Sequence, residues 1–257
     1  MENRVALVAG GSGFLGMTMA ETIAEAGANL VILDLDKDKV NIVAERLVEK
    51  YGGNHKAIAI DLEDKDSIDL VHGFIEDHFN QLDVLINCAA LVGDSSLKGW
   101  ARPFEEQSIS TWEKAINVNL TGAFYLIQQC KNLMEKSEVP SIINVSSIYG
   151  VAGQKMSMYK GMDYLTPAAY SASKGAIIQL TRYLATVFAP HIRVNCISPG
   201  GIARGQDKEF VDRYKELTPL SRMAIEEDFK GVTHFLASDL SAYITGQNII
   251  VDGGWTL

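Results

Sequence analysis

The chain is poor in the features that mark several large protein classes. Its three cysteines, Cys88, Cys130 and Cys196, are odd in number and far apart in 257 residues, which suits reduced, mostly buried thiols better than a disulfide framework. Five histidines, at 55, 72, 78, 191 and 234, show no ligand spacing, so no metal is expected and each reads as a surface residue. No apolar run is long enough to cross a bilayer, and MENRVALVAGG leads straight into an apolar strand with no cleavable signal, so the expectation is a cytoplasmic protein with no membrane partner. Positive charge is in deficit: a net charge of −9 and a pI near 5.1 argue against a nucleic-acid partner. There is no Pro-, Gly- or Ser-rich linker, no internal repeat and no low-complexity tract. What remains is a 47% hydrophobic chain of balanced mean hydropathy, expected to form one α/β domain over residues 1–257.

Apolar strand candidates at 5–9, 30–34, 57–60, 83–87, 141–146, 192–197 and 248–251 alternate with helical patterns at about 14–26, 37–51, 65–79, 108–136, 168–189 and 226–237. Such alternation predicts a doubly wound, Rossmann-like sheet of about seven parallel strands with helices on both faces. Any ligand then lies across the strands' carboxyl ends.

The first apolar run, Val5 to Ala9, ends in Gly10-Gly-Ser12-Gly13-Phe14-Leu15-Gly16 and enters an alanine-rich amphipathic stretch. A strand, a glycine turn and a helix start form a dinucleotide-binding element, in which glycine lets backbone N–H groups approach a pyrophosphate at the positive end of a helix dipole. Asp34 closes the next apolar run, eighteen residues after Gly16. A carboxylate there can accept from the adenosine ribose hydroxyls and repels a 2′-phosphate, so the expected cofactor is NAD(H) rather than NADP(H).

The run YSASK sets Tyr170 and Lys174 on one helix face, just after Thr166 and Pro167, which read as N-cap and first helical position. An ammonium beside a phenol favours the phenolate, so Lys174 is expected to lower the Tyr170 pKa and make it a general acid or base near neutral pH. Any Tyr and Lys can fall at this spacing, and the other motifs decide in favour of chemistry.

Taken in order, the glycine turn at 10–16, Asp61-Leu62, NCAA at 87–90, NVNLTG at 117–122, INVSS at 143–147, YSASK at 170–174, RVNCISPGG at 193–201 and ITGQNIIVDGG at 244–254 resemble the short-chain dehydrogenase/reductase family, classical type, from Val5 to Gly254. The resemblance implies that Tyr170 is the acid/base, that Lys174 lowers its pKa and holds the nicotinamide ribose, and that Ser147 rather than Ser146 orients the substrate oxygen. Asn119 completes a tetrad, its position anchoring a water that links the lysine to solvent. The same resemblance implies that Asp61 and Leu62 reach the adenine, that Asn87, Ala89 and Ala90 line the cofactor cleft, and that Pro199, Gly200 and Ile202 border the nicotinamide. It also implies a homodimer or homotetramer, built on the helices carrying 108–136 and 168–189 and on the seventh strand.

Three departures from the family pattern stand out. Ala9 replaces a threonine and the middle glycine sits at 13; Cys88 and Ala90 replace Asn and Gly; and Ser147 and Tyr170 are twenty-three residues apart, more than is usual. The extra segment at 154–167 is expected to shape the substrate pocket. It offers Lys155, Tyr159, Lys160 and Tyr164, and Arg204 follows the Pro199–Gly200 turn. Cations and phenols suit a sugar-like or anionic substrate. The insertion also resembles that of bacterial surface-sugar and flagellin-modification dehydrogenases. The charged stretch 203–225 reads as a mobile substrate lid. The leading expectation is an NAD(H)-dependent enzyme interconverting a secondary alcohol and a ketone of a sugar-derived substrate. A 3-oxoacyl reductase of lipid synthesis and a non-catalytic NAD-binding sensor are the alternatives.

Overall fold

Segments such as VALVA have no polar face to offer water, so they are stable only with both faces covered. The computed structural model, which describes residues 1–92 and 97–257, places them in one sheet. Its strands are β1 (Val5–Ala9), β2 (Asn29–Asp34), β3 (Lys56–Ala59), β4 (Val84–Asn87), β5 (Ser141–Val145), β6 (Arg193–Pro199) and β7 (Asn248–Val251). All pair in parallel in the order β3-β2-β1-β4-β5-β6-β7. The winding reverses at β1, whose Ala9 lies opposite both Leu33 and Asn87, and a crevice opens beyond the carboxyl ends of β1 and β4.

Helices α1 (Phe14–Glu25), α2 (Lys37–Tyr51) and α8 (Lys230–Ala237) cover one face, burying Met19, Ile23, Val40, Leu47 and Leu236. On the other face α3 (Lys65–Phe79), α5 (Ala123–Met134) and α6 (Ala168–Val187) bury Ile68, Ile75, Leu126, Cys130 and Leu184. Local chemistry sets the helix ends: the Asp36 carboxylate accepts from the N–H groups of Asp38 and Lys39 at 3.1 Å each, and Asn80 ends α3 with φ +66°. Among the described residues no helix is long and apolar enough to cross a membrane.

Three expectations need correction. The helix over 108–136 is interrupted: α4 (Ile109–Ile116) runs into a π-helical turn, Asn117–Gly122, before α5. Within it Asn119 is pulled toward Leu91, and Gly122 passes so close to Leu62 that a Cβ would lie 2.5 Å from the Leu62 carbonyl. Pro167, not Thr166, is the N-cap of α6, in an extended conformation; the Thr166 hydroxyl is taken by Tyr159 at 2.6 Å, and the Ala168 N–H donates to Gln107 Oε1. Finally, His55 is 7% exposed, its Nδ1 accepting from the Leu30 N–H at 3.2 Å, so it is no surface residue. Within the stretch 203–225 lies a helix, α7 (Lys208–Glu216), whose Phe210 and Tyr214 pack inward.

Candidate active site

The chain leaves β1 through Gly10, whose φ of +77° and closeness to β4 both demand glycine: a Cβ would lie 2.6 Å from the Ala89 nitrogen. At Gly16 a Cβ would lie 2.0 Å from the Gly10 carbonyl oxygen. Gly13 is different, since its Cβ would meet only that carbonyl, at 3.3 Å. It is the N-cap of α1 and supplies no side-chain cap, so the first N–H groups of α1 and the positive end of its dipole face open space. That space is a cavity of about 670 Å³ bordered here by Gly10, Gly13, Phe14, Leu15 and Gly16.

The Asp34 carboxylate lies over the turn. Oδ2 accepts from Ser12 Oγ at 2.6 Å and Ser12 N–H at 3.1 Å, while Oδ1 accepts from the Leu35 N–H at 2.8 Å. Asp34 lines the cavity, and Ser12 stands behind it as its partner. Asp61 and Leu62 border the same end, beside an ion pair of Glu63 and Lys114 at 3.1 Å. Ala89 and Ala90 form the wall from β4, together with Cys88, whose thiol burial pushes up to about 11. Pro199, Gly200 and Ile202 close the other side.

Besides Ser12, two predicted side chains do not reach the cavity. Asn87 turns into the sheet and donates to Asn144 Oδ1 at 2.9 Å. Asn119 accepts from the Leu91 N–H at 2.6 Å and donates to Ser173 Oγ at 3.1 Å, which locks the π turn to the cavity wall and to α6.

Ser147 at the end of β5 and Tyr170 and Lys174 on α6 converge at the far end of the cavity. Lys174 is 3% exposed; its Nζ donates to the Val145 carbonyl at 2.8 Å and sits 5.7 Å from the centroid of the Tyr170 ring. The expected lowering of the Tyr170 pKa by Lys174 is not found. Burial pushes the phenol up, with the Ser147 hydroxyl and then Arg204 acting the other way, and burial likewise pushes Lys174 down. Desolvation disfavours both charged forms, so in this state Tyr170 keeps its proton.

A second cavity, about 660 Å³, meets the first at Ser147, Tyr170 and Gly200. Its walls are aromatic: Trp100, Tyr149, Tyr159, Tyr164, Phe210 and Tyr214. The 154–167 insertion supplies Tyr159 and Tyr164 as expected, but not its cations. Lys155 turns away to donate to the Trp255 carbonyl at 2.6 Å, 4.5 Å from the centroid of the Trp255 ring, and Lys160 does not reach the cavity. Arg204 borders the first cavity instead, paired with Glu226 at 2.9 Å and lying 5.0 Å from the Phe14 ring centroid. Arg102 and Asp163 are the charged residues that do line the second cavity, and the sequence reading missed both, along with Tyr149, Phe210 and Tyr214. Only the i, i+4 spacing of Phe210 and Tyr214 on α7 offered a signal. Among the described residues, no three His, Cys, Asp or Glu side chains stand together as a metal site.

Comparison with known proteins adds the following. The family model described as Enoyl-(Acyl carrier protein) reductase matches residues 9–256. A 3-oxoacyl-(acyl-carrier-protein) reductase of Aquifex aeolicus is 31% identical over 99% of this chain and 98% of its own length. A sorbose reductase of Schizosaccharomyces pombe is 31% identical over 99% and 96%. A post-translational flagellin modification protein of Campylobacter coli is 28% identical over the whole of both chains. Among solved structures, a short chain dehydrogenase from Leptospira borgpetersenii with bound NAD+ superposes with a TM-score of 0.86, 34% identity and coverage of 100% and 94%. A gluconate 5-dehydrogenase from Burkholderia cenocepacia in complex with NADP and tartrate gives 0.87, 27% identity and coverage of 100% and 96%.

Proposed function

Because the chain belongs to the short-chain dehydrogenase/reductase family and is an oxidoreductase that binds a nicotinamide cofactor, we propose that it interconverts a secondary alcohol and a ketone on a sugar-like substrate, using NAD(H). The observation that carries this reading is the junction of the two cavities at Ser147 and Tyr170, one side offering a helix N-terminus and a carboxylate, the other an aromatic pocket.

The residues of the first cavity fit the dinucleotide. N–H groups at the start of α1 would hold its pyrophosphate, Asp34 its adenosine ribose, Asp61 and Leu62 its adenine, and Lys174 its second ribose. Ala89, Ala90, Pro199, Gly200 and Ile202 would wall the nicotinamide end. When bound, the nicotinamide supplies or takes the hydride. Tyr170, neutral through burial, gives its hydroxyl proton to the substrate oxygen in reduction and recovers it in oxidation. Ser147 Oγ donates to the same oxygen and stabilises its developing charge. Asn119 acts as a positioning residue, fixing the loop beyond β4 at Leu91 and Ser173 one turn from Tyr170. The aromatic walls suit the C–H faces of a carbohydrate, with Arg102 and Asp163 at hand for its polar rim.

Self-association as a dimer or tetramer belongs to the same proposal, supported by exposed apolar side chains on the helices, Ile109 at 72%, Trp112 at 41% and Val187 at 54%. The enzymatic test is Tyr170→Phe, which should lower kcat with ketoses by about 10²-fold or more while coenzyme still binds. A variant that turns over at the wild-type rate overturns the assignment.

One observation favours a second reading, 3-oxoacyl reduction: the apolar walls would also take an acyl chain, and the Aquifex aeolicus relative is named for that reaction. Turnover of acetoacetyl thioesters with NADPH, and none of ketoses with NADH, would establish it instead.

A further inference from the structure

Tyr149, Tyr159 and Thr166 all border the substrate cavity, and their hydroxyls form a single chain. Tyr149 Oη lies 2.7 Å from Tyr159 Oη, which lies 2.6 Å from Thr166 Oγ1. Three hydroxyls carry three protons, and two hydrogen bonds use two of them. In either head-to-tail polarisation one terminal hydroxyl, on Tyr149 or on Thr166, keeps an unspent proton and the opposite terminus keeps lone pairs free; if both termini donate to Tyr159, the spare proton is on Tyr159 itself. The two termini also lie near each other, the Thr166 hydroxyl working against burial at the Tyr149 phenol.

The chain is also held rigidly. The Tyr149 ring stands edge-on to Trp255 at 5.9 Å and 84°, Trp255 stacks on Tyr214 at 6.1 Å and 16°, and Lys155 fixes Trp255 from beyond. Tyr159 is wedged edge-on between Tyr164 at 6.2 Å and Phe210 at 6.1 Å. Burial raises the pKa of both Tyr149 and Tyr159, so both remain hydroxyl donors across the working pH range. Tyr149 belongs to the same turn as Ser147, to whose Oγ its backbone N–H donates at 3.2 Å, and both residues line the second cavity.

We propose that the Tyr149–Tyr159–Thr166 hydroxyl chain is a recognition subsite for a second oxygen of the substrate, a hydroxyl on the same carbon skeleton as the reacting carbinol. The inference rests on the sugar-like substrate reading above and gives it a specificity element. A hydroxyl both donates and accepts, so it can satisfy the free end of the chain in either polarisation, whereas a hydrocarbon leaves that end unpaired in an aromatic pocket. The reacting oxygen is met by Ser147 and Tyr170, and the second oxygen by this chain. The enzyme therefore reads the substrate at two points on one wall.

The test compares kcat/KM for fructose and sorbose with that for cyclohexanone, a ketone with no second oxygen, in the wild type and in Tyr149→Phe, Thr166→Val and Thr166→Ser. Removing one end of the chain should lower kcat/KM for the ketohexoses about tenfold more than for cyclohexanone, and Thr166→Ser, which keeps the hydroxyl, should restore the preference that Thr166→Val loses. Thermal unfolding of each variant accompanies the kinetics, and Thr166→Val is nearly isosteric if Tyr149→Phe folds poorly. Equal losses on ketohexose and cyclohexanone, or none on either, would overturn the subsite and leave the broader function standing. A wild type that reduces cyclohexanone but no ketohexose would overturn both.

Discussion

The glycine turn gives the sharpest physical test, because two of its glycines meet different surroundings. Ordinary contact of a Cβ begins near 3.4 Å, and at Gly16 an alanine would stand 2.0 Å from the Gly10 carbonyl oxygen, a shortfall of about 1.4 Å against backbone that cannot rotate away. Overpacking of this kind costs about 1–3 kcal/mol, and at this chain length each kcal/mol shifts Tm by about 2–4 °C, so Gly16→Ala should melt about 2–12 °C below the wild type. Gly13→Ala has a closest neighbour at 3.3 Å and an ordinary φ of −77°, so its coenzyme-free Tm should stay within about 2 °C. Its new methyl occupies the mouth of α1, where the pyrophosphate would sit. The assay is thermal unfolding with and without NADH. At 100 times its Kd a ligand stabilises by about 2.7 kcal/mol, which here is a rise of about 5–11 °C in the wild type. Gly13→Ala should lose most of that rise while keeping its baseline, and Gly16→Ala should lose both. If Gly16→Ala melts with the wild type, or if the two variants fall equally, the turn is not packed as described.

The proposed preference for NADH rests on the Asp34 carboxylate: two like unit charges about 4 Å apart repel by about 4 kcal/mol at an effective dielectric of 20, so NADH should bind at least about 10²-fold tighter than NADPH, and Asp34→Ser should narrow the gap at least tenfold. Fluorescence titration of the two coenzymes measures it, and equal Kd values in the wild type would refute the role. Acid sensitivity should pass through His55. Burial holds its folded pKa below 6.5, so just below that pH the unfolded chain binds the extra proton, and stability falls on acidification by up to about 1.4 kcal/mol per pH unit. Chemical denaturation between pH 7 and pH 5 should show this slope in the wild type and not in His55→Asn; identical slopes would locate the acid response elsewhere.

Much of the architecture was legible because it is local. Apolar runs buried on both faces, a glycine turn between β1 and α1, and Asp34 at the end of β2 each carry their meaning within a few residues, and the sheet followed from their order. The substrate side was less legible because its walls are assembled from segments far apart in the chain. Lys155 looked like a pocket cation, yet Trp255, 100 residues away, claims it. Arg102 and Tyr149 gave no periodic signal, and α7, with the sequence KEFVDRYKE, is too short and polar for its Phe210 and Tyr214 to outweigh the surrounding charge. The π turn at Asn117–Gly122 was invisible because a helix-forming sequence gives no sign that one of its side chains will be tied to the loop beyond a neighbouring strand. The sequence spacing placed Lys174 near Tyr170, where the structure has its Nζ 5.7 Å from the ring centroid, but spacing says nothing about how much water the fold removes, and burial here raises the Tyr170 pKa.

The junction between the two cavities divides labour along the chain. Ser147, Tyr170 and Lys174 ride on β5 and α6, which the sheet and its cores hold fixed, whereas Tyr159, Tyr164, Phe210 and Tyr214 hang from the 154–167 excursion and from α7, outside every strand pairing. Exchanging those two excursions would retailor the receptacle without disturbing the residues proposed to move the proton, so on that proposal selectivity in this scaffold can change while its chemistry stays put.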